Sequence, residues 1–281
     1  MSALADLIRP GLRFAAVGHV TNDRLASGLT PGGSVFYAAL AAAALGAEVT
    51  AITRCGPDWT GREPLLRTGA RLVETAAPVT TSFENVYFGG TRRDRLLARA
   101  GEVEWRVPPE AQVVLACPVA GELAQAALEV EPGVLLGAGL QGWLRAVGQG
   151  GAVEPRALEA PRTFRHCRVV FLSEEDLGEV LVPTLTALRA VVPMVVLTRG
   201  AKGSTLFEHG RTLEVRAVPA HEVDPTGAGD VYATAFLLAL ASGHPSGDAA
   251  RIASAAAAFA VEAPGADGLH RLSALADREV P

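Results

Sequence analysis

Six short apolar runs, repeated along the chain, limit its possible folds more than any other feature. They are RFAAVGHV (13–20), EVTAITRCG (48–56), QVVLACPV (112–119), GVLLGAGL (133–140), RVVFLSEED (168–176) and MVVLTRG (194–200). A run of this length, nearly free of polar breaks and rich in Val and Leu, suits a strand buried on both faces. Between them SVFYAALAAAALG (34–46), AGELAQAALEV (120–130) and DLGEVLVPTLTALRA (176–190) read as helices. This rhythm predicts an α/β chain with a doubly wound, mostly parallel sheet flanked by helices. Such sheets bind ligands beyond the carboxyl ends of their strands, and Asp23, Arg54, Gln141, Ser173 and Arg199 are expected there.

Two segments depart from the rhythm. TTSFENVYFGGTRRDRLLARA (80–100) alternates apolar residues before Gly-Gly and a basic stretch, and predicts antiparallel strands projecting from the main sheet. GSTLFEHGRTLEVRAVPA (203–220) reads as a hairpin turning near Gly210. No internal repeat, low-complexity linker or domain boundary is visible, so residues 1–281 read as a single domain.

Composition excludes several functions. Hydrophobic residues make up 49% and charged residues 20%, the balance of a globular chain. A net charge of −5 argues against nucleic acid as a partner. Cys55, Cys117 and Cys167 form no CxxC, which fits a reducing cytoplasm. Asp6, Arg9 and Arg13 interrupt the apolar N-terminus, so no secretory signal is expected. Six histidines include no HExxH and no pair at metal-ligand spacing.

The segment HEVDPTGAGDVYATAFLLALASGH (221–244) carries the clearest chemistry. Val231–Ser242 is uncharged and predicts a buried helix, too short to cross a bilayer, which takes roughly 18 apolar residues or more. A helix start exposes N–H groups and the positive end of the helix dipole, and so suits an anion. The small residues before it predict a loop with positive φ, expected at Gly229. Asp230 at the first turn reads either as a helix cap or as an acceptor for the proton of an attacking hydroxyl.

DPTGAGD resembles the signature of the ribokinase, or PfkB, family of carbohydrate kinases, usually D-T-x-G-A-G-D; here Pro225 stands where threonine is common. The resemblance makes Asp230 the catalytic base and Gly227, Ala228 and Gly229 the anion hole. It gives Asp224, with Thr226, the task of ordering the loop or a monovalent cation such as K+. GHVTND resembles the family's first strand and its substrate-binding aspartate, Asp23; an Asx turn with Asn22 is the structural alternative. PGGSVFYAAL resembles the family's Gly-Gly helix, with Gly32 and Gly33 approached by the sugar. Tyr37 occupies the place of a common asparagine, which hints at a different substrate.

The nucleotide side carries its own marks. FLSEED sits where the family reads N-x-x-E, so Ser173 and Asp176 fall at the ATP site, Asp176 meeting Mg2+ through water. An N-cap at Ser173 explains the same residues without a ligand. TRGAKGST is not a Walker loop, but resembles the family's T-x-G-x-x-G turn, which sets Thr198, Gly200 and Gly203 along the ATP phosphates and ribose; a plain strand–turn–strand is the alternative. RIASAAAAFAVEAPGA resembles the helix and turn that flank adenine. GAGLQGWLR resembles the inositol-kinase-like branch, with Gln141 and Arg145 toward the substrate.

The resemblance therefore implies a ribokinase-like kinase moving the γ-phosphoryl group of ATP to a hydroxyl of a small sugar or polyol, myo-inositol-like by preference. ATP and Mg2+ are the implied cofactors, with K+ optional. The implied setting is a cytoplasmic monomer or homodimer without membrane or nucleic-acid partners. A nucleoside or vitamin kinase of the same fold, and a non-catalytic nucleotide-binding regulator, are the alternatives. No G-x-G-x-x-G follows the first strand, which disfavours a dinucleotide-binding dehydrogenase. The lid is expected to be reduced to 80–100, because few residues separate Asp23 from Gly32. Arg92, Arg93 and Arg95 within it offer the one route to a phosphorylated sugar.

Overall fold

The computed structural model describes residues 4–25, 28–88, 91–124 and 128–278. All six apolar runs become strands of one nine-stranded sheet: β1 (Arg13–Val17), β4 (Glu48–Cys55), β8 (Val113–Ala116), β9 (Leu135–Gly139), β12 (Val169–Ser173) and β13 (Met194–Thr198). With β5 (Arg71–Ala76), β14 (Ser204–Glu208) and β15 (Arg211–Val215) the order is β15-β14-β13-β12-β9-β8-β1-β4-β5. The pairs from β5 to β13 are parallel, and β13-β14-β15 are antiparallel. The β14–β15 hairpin turns at His209 and Gly210 as its sequence implies.

Burial on both faces explains the unbroken apolar runs. Phe14 and Ala16 join the core beneath helices α2 (Ser34–Ala44), α6 (Ala228–Ala241) and α7 (Ser246–Val261). Ala15 and Val17 enter the opposite core, which includes Leu188 of α5 (Leu181–Arg189). Helix α6 lacks an amphipathic pattern because Val231 through Ala239 are all buried. Each large side chain there, such as Phe236 or Leu237, contributes on the order of 1.5–3 kcal/mol by leaving water. Among the described residues no helix is long and apolar enough to cross a membrane.

A second sheet stands apart, in the order β3-β2-β6-β7, from β2 (Thr21–Leu25), β3 (Gly28–Gly32), β6 (Thr81–Phe88) and β7 (Thr91–Ala98). The antiparallel pair expected in 80–100 is present as β6 and β7, while Gly89 and Gly90 lie outside the described residues. The expectation that 80–100 forms the whole projection is wrong. Residues 21–32 add a hairpin, because a tight turn needs few residues to reverse a strand.

Two helix expectations also need correction. Over 120–130 the described residues form no helix, and 125–127 lie outside the description. Glu122 is fully buried, and its carboxylate accepts the N–H groups of His19 (2.7 Å), Val119 (3.0 Å) and Ala120 (2.7 Å). That side chain holds the segment against β1 instead of presenting it to solvent. Over 176–190 the helix is split: α4 (Glu174–Leu177) ends at Gly178, and a 3-10 turn precedes α5.

Candidate active site

Strand order reverses between β1 and β8, and ligands of open α/β sheets bind outside the strand ends at such a point. Gly18 follows β1 there, where an added Cβ would lie 2.5 Å from the Cys117 carbonyl oxygen. Asp230 belongs to the same place. Burial pushes the Cys117 thiol well above its ordinary range, and the negative charges of Asp230 and Glu122 add to that.

Two helix N-termini meet in this crevice. The loop before α6 is tied by Asp224, whose Oδ1 accepts the Thr226 N–H and whose Oδ2 accepts the Gly265 N–H, both at 2.9 Å. That engagement fits the loop-ordering alternative for Asp224. Gly227 caps α6 with φ 78, and a Cβ there would collide with the Tyr37 ring. The expected positive φ therefore sits at Gly227, whereas Gly229 lies within the first turn of α6 with open space where a Cβ would be. The Ala228 N–H closes a turn onto the Pro225 carbonyl at 3.2 Å. Gly229 and Asp230 follow in the turn whose N–H groups an α-helix leaves without internal partners. Tyr37 is buried against Gly227, so it braces the loop from beneath.

Helix α2 starts one residue after Gly33, and its first residue, Ser34, hydrogen-bonds the Asp230 carboxylate. Asp230 keeps a little exposed surface as a residue, yet its carboxylate is enclosed. Burial lifts the Asp230 pKa from an ordinary 3.8 to about 6; the Ser34 bond and Arg145 oppose the rise, and Asp176 adds to it. A carboxylate so tuned suits proton acceptance near neutral pH.

Asp23 lies within β2 rather than beyond the first strand. Its Oδ1 accepts the Thr21 hydroxyl at 2.8 Å, and a Cβ on Gly32 would lie 2.6 Å from its Oδ2. Glycine at 32 thus lets the carboxylate rest on the backbone at the start of α2. Gly32 is two residues from Ser34, about 7 Å of chain at most, so Asp23 and Asp230 share one helix mouth. The Asx-turn alternative does not hold: Asn22 is buried, donates to the Asp58 carbonyl at 2.9 Å and accepts the Thr60 N–H at 3.1 Å.

The residues expected on the nucleotide side gather at the ends of two neighbouring strands, where Ser173 and Thr198 are register partners. Ser173 caps α4, accepting the Glu175 N–H at 3.2 Å, and Thr198 donates to the Leu172 carbonyl at 3.3 Å. Gly200 and Gly203 close the following turn, with the Arg199 N–H on the Gly203 carbonyl at 2.8 Å and the Gly203 N–H on the Gly200 carbonyl at 2.9 Å. Arg199 pairs with Glu214, and Lys202 with Glu174 at 3.3 Å.

Gln141 opens a 3-10 turn, Gln141–Trp143, whose buried Trp143 anchors it to the Leu123 carbonyl at 3.1 Å. The next strand, β10 (Arg145–Val147), pairs with β11 (Val153–Pro155). Arg145 is already paired, with Asp94 at 3.1 Å and Asp176 at 3.4 Å. Three features escaped the sequence reading: Ser34, Asp94 and the bracing by Tyr37. Ser34 had a visible signal, since it directly follows Gly32-Gly33; Asp94 lay in a segment read only for its arginines.

Among the described residues no group of three or more His, Cys, Asp or Glu forms a metal cage. Asp176, the carboxylate expected to meet Mg2+ through water, lies 3.4 Å from Arg145. The Arg145 pairing leaves that carboxylate shared rather than dedicated.

Residues 152–270 match the pfkB family carbohydrate kinase model. A nucleoside kinase of Methanocaldococcus jannaschii is 39% identical over 75 residues, 26% of this chain and 25% of that protein. An inositol 3-kinase of Oryza sativa subsp. japonica is 38% identical over 117 residues, 41% of this chain and 29% of that protein. The matches thus span under a third of the length of these two relatives. A solved pyrophosphate-dependent kinase in the ribokinase family, complexed with a pyrophosphate analog and myo-inositol, superposes with a TM-score of 0.73 at 21% identity, covering 90% of this chain and 96% of that one. At that identity the likeness shows the ribokinase fold.

Proposed function

On the match of residues 152–270 to the pfkB family carbohydrate kinase model, we propose that the chain transfers the γ-phosphoryl group of ATP to a hydroxyl of a small neutral polyol or sugar, with a myo-inositol-like ring preferred. The observation that carries this reading is the enclosed Asp230 carboxylate, held by Ser34 at the mouth of a buried helix and facing the same helix start as Asp23. Asp230 accepts the proton of the attacking hydroxyl. The first-turn amides of α6 after Gly227 and Ala228, at Gly229 and Asp230, stabilise the charge that develops on the transferring group. Asp23 accepts hydrogen bonds from neighbouring hydroxyls, and the Gly32–Gly33 backbone lets the ring approach closely.

The donor lies along Ser173, Thr198, Gly200 and Gly203. Mg2+, when bound, would neutralise phosphate charge, and Asp176 is the carboxylate that would hold it, by way of water. Gln141 and Arg145 flank the acceptor. A neutral acceptor is favoured by the local charge, since Asp94 and Asp176 already share the Arg145 guanidinium, whose charge also reaches Asp230. Of the three arginines that would serve a phosphorylated sugar, Arg95 donates to the Gly150 carbonyl at 2.6 Å, while the side chains of Arg92 and Arg93 lie outside the described residues.

The test is a panel of myo-inositol, ribose, fructose, fructose 6-phosphate and adenosine, each with Mg-ATP and with Mg-pyrophosphate, read by the mass of the phosphorylated product. The proposal expects the highest kcat/KM with a neutral polyol and ATP. Preference for fructose 6-phosphate or adenosine moves the acceptor class, and preference for pyrophosphate moves the donor.

A further inference from the structure

The inner face of the small sheet carries a second carboxylate. Asp23 is the register partner of Phe83, and Phe83 that of Leu96, so the three side chains share a face. Asp94, two residues before Leu96, projects to the same side. Solvent exposure along β7 agrees: Asp94, Leu96 and Ala98 are half-buried, and Arg95, Leu97 and Arg99 are exposed. The Asp94 carboxylate is only 9% exposed, and its Oδ2 lies 3.1 Å from Arg145 Nη2. The same nitrogen lies 3.4 Å from Asp176 at the start of α4, and the Arg145 charge reaches Asp230. One guanidinium therefore bridges the small sheet and the helix that follows β12.

The hairpin that Arg145 begins also touches the small sheet through its backbone. β7 is the edge strand of the small sheet, and the β10–β11 hairpin docks on that edge. Arg95 and Ala152 form an antiparallel bridge, and the Arg95 Nε donates to the Gly150 carbonyl at 2.6 Å. A Cβ on Gly151 would collide with the Leu96 carbonyl oxygen. Backbone docking and the Asp94–Arg145 pair thus reach the same strand by different means.

We propose that Asp94 is a positioning residue of the acceptor site: it holds Arg145 on the acceptor side of Asp230 and, with it, the β10–β11 hairpin on the edge of the small sheet. The claim rests on the polyol-kinase reading for its acceptor part and on geometry alone for its hairpin part. Without the Asp94 charge, Asp176 is the carboxylate left holding Arg145, and the guanidinium moves toward the donor side. The acceptor then loses an ordered neighbour while the donor keeps its own.

The experiment compares wild type with Asp94→Asn, using myo-inositol and Mg-ATP. The KM for myo-inositol should rise about tenfold or more, the scale of one charge-assisted contact, while the KM for ATP stays within about twofold. Hydrogen exchange of the substrate-free protein should show faster exchange over 145–155, with β1 and β4 unchanged as the check on folding. Gly151→Val, which keeps both charges and blocks the docking, should also raise the KM for myo-inositol. An unchanged acceptor KM in Asp94→Asn overturns the acceptor part, and equal rises in both KM values do so as well. If wild type phosphorylates no neutral polyol, the polyol reading fails by itself. The hairpin part is then decided by exchange: faster over 145–155 upholds it, unchanged overturns it.

Discussion

The nine-stranded sheet and the four-stranded sheet meet at one crevice but are held together by different means. Inner strands of the large sheet bury both faces, so β8 reads Val-Val-Leu-Ala and all four residues are buried. The small sheet covers one face only: β3 runs from exposed Gly28 and Leu29 to buried Gly32, and β7 alternates. Polar contacts fasten its junction with the large sheet. His19, wholly buried between β1 and β2, has its Nδ1 2.8 Å from the Thr81 hydroxyl, and Thr81 accepts the Ala100 N–H at 2.9 Å. The difference teaches a division of labour. The proposed base and anion hole stand on a helix packed against the large sheet, whereas Asp23, the carboxylate proposed for the acceptor, stands on a strand of the small sheet.

The largest expected effect lies on the rigid side. Asp230→Asn should lower kcat by about 10²–10⁴-fold, since an amide cannot take the hydroxyl proton. The same change should stabilise the protein at pH 7.5. The folded-state pKa of Asp230 is raised to about 6, so the group favours folding most below its unfolded value of 3.8. That contribution is lost as pH rises through 6, and at neutral pH the enclosed charge costs on the order of 1–3 kcal/mol. A thermal melt of the variant should therefore sit several degrees above wild type at pH 7.5 and close to it at pH 4. Equal melting at both values would contradict the enclosure.

One substitution made in both sheets sharpens the contrast. Leu115→Ala in fully buried β8 should cost about 2–5 kcal/mol by leaving a cavity. Leu29→Ala, 51% exposed on β3, should change stability by less than about 0.5 kcal/mol. Denaturant midpoints measure both, and similar losses would erase the distinction between the sheets.

The junction adds a pH dependence in the opposite direction. Burial lowers the His19 pKa below 6.5, against the pull of Glu122. Its contribution to stability is present above 6.5 and is lost as pH falls toward the lowered value. His19 should thus pull the melting temperature down from pH 7 to pH 5, against the Asp230 contribution, and His19→Gln should remove that part of the slope. A slope unchanged in the variant would remove His19 as its source.

Legibility followed the same division. Runs such as MVVLTRG announced themselves because burial on both faces demands an unbroken apolar string. DPTGAGD was legible because its small residues mark a tight helix start, although the positive φ belongs to Gly227 rather than Gly229. The small sheet was harder to read. TNDRL and GLTPG carry little hydrophobic pattern, and their strand state comes from pairing with each other and with β6. AGELAQAALEV misled because helix propensity was outweighed by a buried Glu122 serving three backbone amides. Asp94 and Arg145 are 51 residues apart, and no local pattern announces such a pair.

The central claim is that Asp230 takes the acceptor's proton from an enclosed site that has raised its pKa. The pH dependence of kcat/KM for myo-inositol, at saturating Mg-ATP between pH 4.5 and 8, tests it most directly. A base must be ionised to act, so activity should rise with pH through a midpoint of about 6 and then level. A profile that is flat across this range, or that falls as pH rises through 6, would contradict Asp230 as the base.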